Sequence, residues 1–302
     1  MVELQGVATL LGLGLTAMVP LSLAASGETV NEKAGTFNIS LEGIMLLSSF
    51  IAVIAAEATG TWLGGMMIGA IIGAAIGLVH GYASNSLKGD QLIIGVGINI
   101  FALGFVAFGL IAVYHTPGHH QLLSTIQAPR IPTPFGLLSP LLIVTPILAV
   151  VSYVLLNKTV FGLRVKAAGE NPEAADVAGI KVDRIRIVAS VYGGALAGLA
   201  GAFLSLDWLS FATKEISAGR GFIALAVVVF SGLNPLLALG GAFLFGFFDA
   251  LRTWVVITPG VKEVVPFQFV NMLPYVVTLA VVAGAIGKRR FPKALGVPYR
   301  RE

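Results

Sequence analysis

Long uncharged runs alternate with short polar islands along this chain. Residues 4–27, 43–56, 58–87, 91–129, 132–157, 187–206, 221–248 and 264–287 contain no Asp, Glu, Lys or Arg. About 20 apolar residues cross the hydrocarbon core of a bilayer, so several runs cross once and the longest must turn. Lipid offers the backbone no hydrogen-bond partner, which leaves helices or closed barrels, and the alternation of a barrel strand is absent here. The pattern therefore predicts an all-α polytopic membrane bundle, a single transmembrane domain over 1–302, with about nine spans in a range of eight to ten. They are placed at 4–25, 38–58, 60–80, 91–113, 139–156, 187–206, 214–231, 235–256 and 266–287. The seventh is interrupted by Ser231-Gly232-Leu233-Asn234-Pro235, and a re-entrant half-helix competes with a full span there. Residues 26–37 read as a loop or as a segment dipping into the membrane.

Charge orients the bundle. Lys158, Arg164, Lys166, Lys181, Arg184 and Arg186 gather in the island 157–186, and Lys288, Arg289, Arg290, Lys293, Arg300 and Arg301 in the tail. Basic residues near spans stay on the cytoplasmic side. Both segments are expected there, with the C-terminus cytoplasmic. Counting spans backwards puts Lys33 and Lys88 inside, and the loop 114–138 and the N-terminus outside. Composition agrees, since 56% of the 302 residues are hydrophobic and 11% charged, the balance of an integral membrane protein surrounded by lipid, whose expected location is the plasma membrane. The net charge of +4 is concentrated at membrane faces, which speaks against a nucleic-acid surface. The stretch MVELQGVATL lacks a basic n-region, so 4–25 is read as a retained span. The absence of Cys excludes disulfides and thiolate metal sites.

Polar chemistry is sparse. There is no GxxxxGK[ST] phosphate loop, no Ser/His/Asp arrangement and no metal-ligand cluster, so neither an enzyme nor a cofactor is expected and energy must come from a partner. His119 and His120 read as solvated residues of the outer loop. Gly65, Gly69, Gly73, Gly77 and Gly81 recur every fourth residue, and Gly194 and Gly198 share the spacing, as where helix backbones approach closely. The connections near Gly60 and Gly232, each followed by a glycine-rich helix, suggest an inverted repeat. Polar groups at membrane depth face cavities or partner helices. Asn38, Glu42 and Asn99 are candidates for a translocation pathway, with an interhelical hydrogen bond as the alternative for Asn99 and a helix-dipole partner as that for Glu42. Asp249 and Arg252 stand one turn apart and are expected to pair.

The island 157–186 contains Glu173-Ala174-Ala175, three further residues, then Gly179. Pro172 can start a short helix and Gly179 can end it. With Gly27-Glu28, Asn31-Glu32-Lys33-Ala34-Gly35, Asn38-Ile39-Ser40-Leu41-Glu42-Gly43, Asp90-Gln91, Phe161-Gly162-Leu163-Arg164, Gly169-Glu170-Asn171-Pro172, Ala218-Gly219-Arg220-Gly221-Phe222-Ile223-Ala224-Leu225-Ala226, Asn234-Pro235 and Met272-Leu273-Pro274-Tyr275, the chain resembles permease subunits of ABC importers in the simple-sugar, ribose and branched-chain amino acid group. Within it, the resemblance is to the shorter of two paralogous permeases for nucleosides and simple sugars. It implies import of a nucleoside or simple sugar with an ATP-binding ABC subunit, a paralogous permease and an extracytoplasmic substrate-binding lipoprotein of the basic-membrane type. Residues 170–180 would be the cytoplasmic coupling helix, with Glu173, Ala174, Ala175 and Gly179 matching the EAAxxxG pattern, although no I-x-L-P follows. An ion-coupled secondary carrier, and behind it a non-transporting scaffold, are the readings left if no ATPase binds.

Overall fold

The structure, a computed structural model, describes residues 2–257 and 291–300 and scattered positions between 272 and 284. Among the described residues, ten α-helices run in order: α1 (Val2–Lys33), α2 (Leu41–Thr59), α3 (Trp62–Asn85), α4 (Gln91–Tyr114), α5 (Leu141–Lys158), α6 (Val160–Glu170), α7 (Pro172–Val177), α8 (Val182–Phe203), α9 (Arg220–Ser231) and α10 (Pro235–Ile257). A single π-helical turn, Leu204–Trp208, continues α8. Strands β1 (His119–Gln121), β2 (Ile131–Thr133), β3 (Gly136–Leu138) and β4 (Phe211–Thr213) form two antiparallel pairs, β1 with β4 and β2 with β3.

Local signals set the ends. Asp90 caps α4 by accepting from Leu92 N at 2.8 Å and Ile93 N at 3.0 Å, and Gly60 and Gly232 close α2 and α9 with φ of 68° and 62°. That left-handed conformation is open to Gly without a Cβ penalty. Helices α1, α2 and α8 are largely buried, whereas α3, α4 and α5 present lipid-type faces such as Ile93, Phe101 and Phe108 on α4. The glycine stripe does what its spacing predicts. Along α3 it receives α8, where a Cβ on Gly69 would stand 2.6 Å from the Ala202 Cβ and one on Gly77 3.1 Å from the Gly194 Cα. Such backbone proximity maximises dispersion contact where lipid supplies no hydrophobic drive.

Among the described residues, seven helices are long and apolar enough to span a membrane. Two of the nine expected spans account for the difference. The span expected at 214–231 is replaced by an irregular stretch over 214–219 and the 12-residue α9, the half-helix that competed for this segment. At about 1.5 Å per residue α9 is about 18 Å long, too short for a core of about 30 Å. The span expected at 266–287 lies outside the described residues. Of the two readings for 26–37, a loop or a segment dipping into the membrane, the loop is corrected, because α1 continues to Lys33 with Glu28, Asn31 and Glu32 buried. Burial is tolerated since Glu28 accepts from Asn38 N at 2.9 Å and from the Asn31 amide at 3.2 Å.

The two ends of the bundle are each tied together. At one end, Lys88 pairs with Asp183 at 2.8 Å and Arg186 donates to Ala34, Ala168, Ala294 and Val297 carbonyls. At the other, β1 pairs with β4, and Arg130 pairs with the buried Asp207 at 2.7 Å. Among the described residues, the basic island 157–186 thus gathers with the tail segment 291–300 at one end, and the loop 114–138 lies at the other.

Candidate functional site

Both α2 and α9 begin inside the bundle. After α1 ends at Lys33 the chain turns back, and Asn38 N reaches Glu28 Oε1, five residues or about 7.5 Å up the helix. Asn38 Oδ1 accepts from Ser40 N at 2.9 Å and from its hydroxyl, fixing the start of α2 within a buried setting. One turn on, Glu42 accepts from Gly219 N and Gly221 N, both at 2.8 Å. These amides belong to the first turn of α9, whose N–H groups have no partner within their own helix. Glu42 therefore caps a helix 177 residues distant in sequence, and its charge faces the positive end of that helix dipole. Gly219, at φ 80°, makes the turn possible, and Gly221 admits α2 so closely that a Cβ there would lie 2.6 Å from the Glu42 Cα.

Asn99 secures the other flank. Its Oδ1 accepts from Gly43 N at 2.7 Å and its Nδ2 donates to the Ile39 carbonyl at 3.0 Å. The side chain thus joins α4 to the start of α2, the interhelical bond read as the alternative from sequence. Beside it, Arg220 pairs with Asp249 at 2.9 Å and lies 4.6 Å from the Trp208 ring centroid. Arg252 also faces Asp249, but at 3.8 Å, so the expected helix-neighbour pair is secondary to a partner from α9.

A cavity of about 500 Å³ opens where these elements meet. Glu42, Gly43, Asn99 and Arg252 line it together with Leu46, Ile100 and Leu103 on one side and Lys214, Glu215, Ser217, Ala218 and Phe222 on the other. Glu42 and Asn99, two of the three expected pathway residues, therefore share one cavity. Asn38 lies beneath, fully buried and outside the lining. The residues 214–222 were missed because a predicted helix conceals an irregular wall. The signal was present in Ala218-Gly219-Arg220-Gly221, where two glycines flank a charge within an apolar region.

A family model described as the permease component of branched-chain amino acid transport systems matches residues 10–282. The chain belongs to this permease family. It is similar to the guanosine ABC transporter permease NupQ of Bacillus subtilis, 35% identical with 94% of each chain covered. It is also similar to the nucleoside ABC transporter permease NupC of Lactococcus lactis, 33% identical over 93% of each. A Haloferax volcanii protein provisionally named as a glucose ABC transporter permease is 31% identical over 98% of each. No solved structure matches the chain. The expected kinship with ABC importer permeases is met, and the family is a multi-pass membrane component.

The permease carries a separate polar surface at the Lys88 end. Asn171 caps α7 by accepting from Ala174 N at 3.0 Å, Pro172 occupies its first turn and Gly179 follows it at φ 83°. Ala175 is buried against the body and Val177 is 91% exposed. Glu173 and Ala174 are exposed on the same helix. The Tyr299 hydroxyl donates to Asp176 at 3.1 Å, so the tail braces α7. At the opposite end His120 is not simply solvated as expected. Its Nε2 meets Glu57 at 2.7 Å and its ring stacks on Tyr114 with centroids 3.5 Å apart, while His119 is exposed.

Proposed function

We propose that the chain is one of two paralogous permease subunits of an ABC importer and that its solute is a nucleoside. The observation carrying this reading is similarity over nearly the whole length to two permeases named for guanosine and for nucleosides. ATP is bound and hydrolysed on separate ATPase subunits, and a binding lipoprotein delivers the solute to the end formed by β1 and β4. Solute crosses through the cavity lined by Glu42 and Asn99, with Asn38 holding the turn below it. The end bearing α7 and the tail faces the cytoplasm, in keeping with its basic residues. There Glu173, Ala174, Ala175 and Gly179 present the coupling surface to the ATPase.

The helix pairings support an inverted repeat of α1–α2–α3 against α8–α9–α10. Helix α3 packs on α8 as α10 packs on α1, α1 meets α8, and α2 meets α9. Each unit holds one helix that starts inside the bundle, the discontinuous element around which repeat transporters move. Reconstitution with the neighbouring ATPase, permease and binding-protein genes tests the whole reading. Labelled guanosine should enter proteoliposomes only with ATP on the ATPase side. Uptake driven by an ion gradient, without ATPase association, would replace it with a secondary carrier.

A further inference from the structure

The cavity has two unlike walls. On the α2 and α4 side, Glu42 and Asn99 are tied to backbone groups, which leaves Leu46, Ile100 and Leu103 as the free contact surface, whereas Lys214, Glu215 and Ser217 bring an ammonium, a carboxylate and a hydroxyl. Phe222 shares the side of Lys214, Glu215 and Ser217 and is 48% exposed although it sits in the first turns of α9. A large aromatic ring left open in a concave site offers a flat, apolar contact face. Its placement is fixed from behind, because Glu42 ties Gly219 N and Gly221 N, and Arg220 is held by Asp249 and Trp208. The ring is thus mounted on a helix start anchored at residues 219, 220 and 221.

We propose that Phe222 is the platform on which a nucleobase stacks, with the ribose hydroxyls turned toward Lys214, Glu215 and Ser217. This rests on the nucleoside reading above and adds the residue that separates nucleosides from base-free sugars. A heterocyclic base has a π-face and little need for hydrogen bonds on that side, so it suits the ring and the aliphatic wall. The ribose has several hydroxyl groups that need polar partners, so it suits the opposite wall. A hexose, hydroxylated all round, would leave polar groups facing Leu46, Ile100 and Leu103.

Titration of guanosine, uridine and ribose into the permease pair with its ATPase in nanodiscs, without the binding protein, tests the assignment. Phe222→Leu keeps apolar volume and removes the ring, and Phe222→Tyr keeps the ring. Wild-type protein should bind guanosine about tenfold more tightly than ribose, the scale of one base–aromatic stack. Phe222→Leu should lose that margin, Phe222→Tyr should retain it, and ribose affinity should be alike in all three. Equal guanosine affinity in wild type and Phe222→Leu, or no guanosine binding to wild type, overturns the platform. Co-purification of the ATPase with each variant shows that the complexes compared are intact. ATP-driven guanosine uptake that persists alongside such a failure leaves the importer reading standing. Absence of ATP-driven uptake removes that reading on its own.

Discussion

At the scale of single residues, the charges that matter are those whose partners lie far along the chain. Glu42 supplies both oxygens to the start of α9, so Glu42→Ala leaves two backbone N–H groups without an acceptor at about 1–3 kcal/mol each. Glu42→Gln keeps one acceptor oxygen and should cost about half as much. Melting of the purified complex should therefore fall in the order wild type, Gln, Ala, with guanosine uptake falling alongside. Equal melting of the two variants would mean that the carboxylate does not cap α9. Arg186 makes the complementary case. Wholly buried, it donates to carbonyls of four residues from the turn after α1, from α6 and from the tail. An ammonium cannot reproduce that planar fork. Arg186→Lys should release the tail, seen as faster proteolytic clipping within 291–300, while Lys166→Arg at a half-buried site should not. The sequence singled out Glu42, but it read Arg186 only as one of the cytoplasmic topology charges. Sign and depth are legible in one dimension, whereas a partner 108 to 177 residues distant is not.

Elements were more legible where periodicity governs them. The glycine stripe on α3 needed no tertiary information, because every fourth residue on a helix shares a face. Its energetic consequence follows from the geometry. A Cβ on Gly73 would lie 2.5 Å from the Gly198 Cα, so Gly73→Leu must force α3 and α8 apart. The cost should be about 1–3 kcal/mol or more. Gly104→Ala, on a helix position with nothing within 4 Å, should be neutral or slightly stabilising. Thermal melts of the two variants separate backbone packing from a general intolerance of substituted glycine. Length was the less reliable guide. Residues 214–231 have enough apolar character for a span, but Gly219 adopts the left-handed conformation and Glu42 captures the amides that follow, so the helix begins only at Arg220. Conversely, Glu28 and Glu32 should have ended the first span, yet neighbouring donors to Glu28 let α1 continue to Lys33.

At the scale of the whole molecule, the importer reading requires that the end bearing α7 face the ATPase and the end bearing β1 face the binding protein. The absence of native Cys makes this measurable with one thiol at a time. Val177→Cys sits at the exposed tip of α7, and His119→Cys lies on the exposed strand at the opposite end. A membrane-impermeant maleimide should label His119→Cys on intact cells and reach Val177→Cys only after the membrane is opened. The reverse pattern would invert the topology and remove α7 from the ATPase side. Docking adds a second layer, since a coupling helix is covered by its partner. In inside-out vesicles, Val177→Cys should react quickly when the permeases are expressed alone and at least several-fold more slowly once the ATPase is bound. Glu173→Arg, placed beside that tip, should restore fast labelling and abolish ATP-driven uptake while insertion and His119→Cys labelling remain unchanged. Fast labelling in the presence of bound ATPase would show that α7 is not the contact. The transmitted motion would then have to enter the bundle elsewhere on this face, where the tail and Arg186 join α1 to α6.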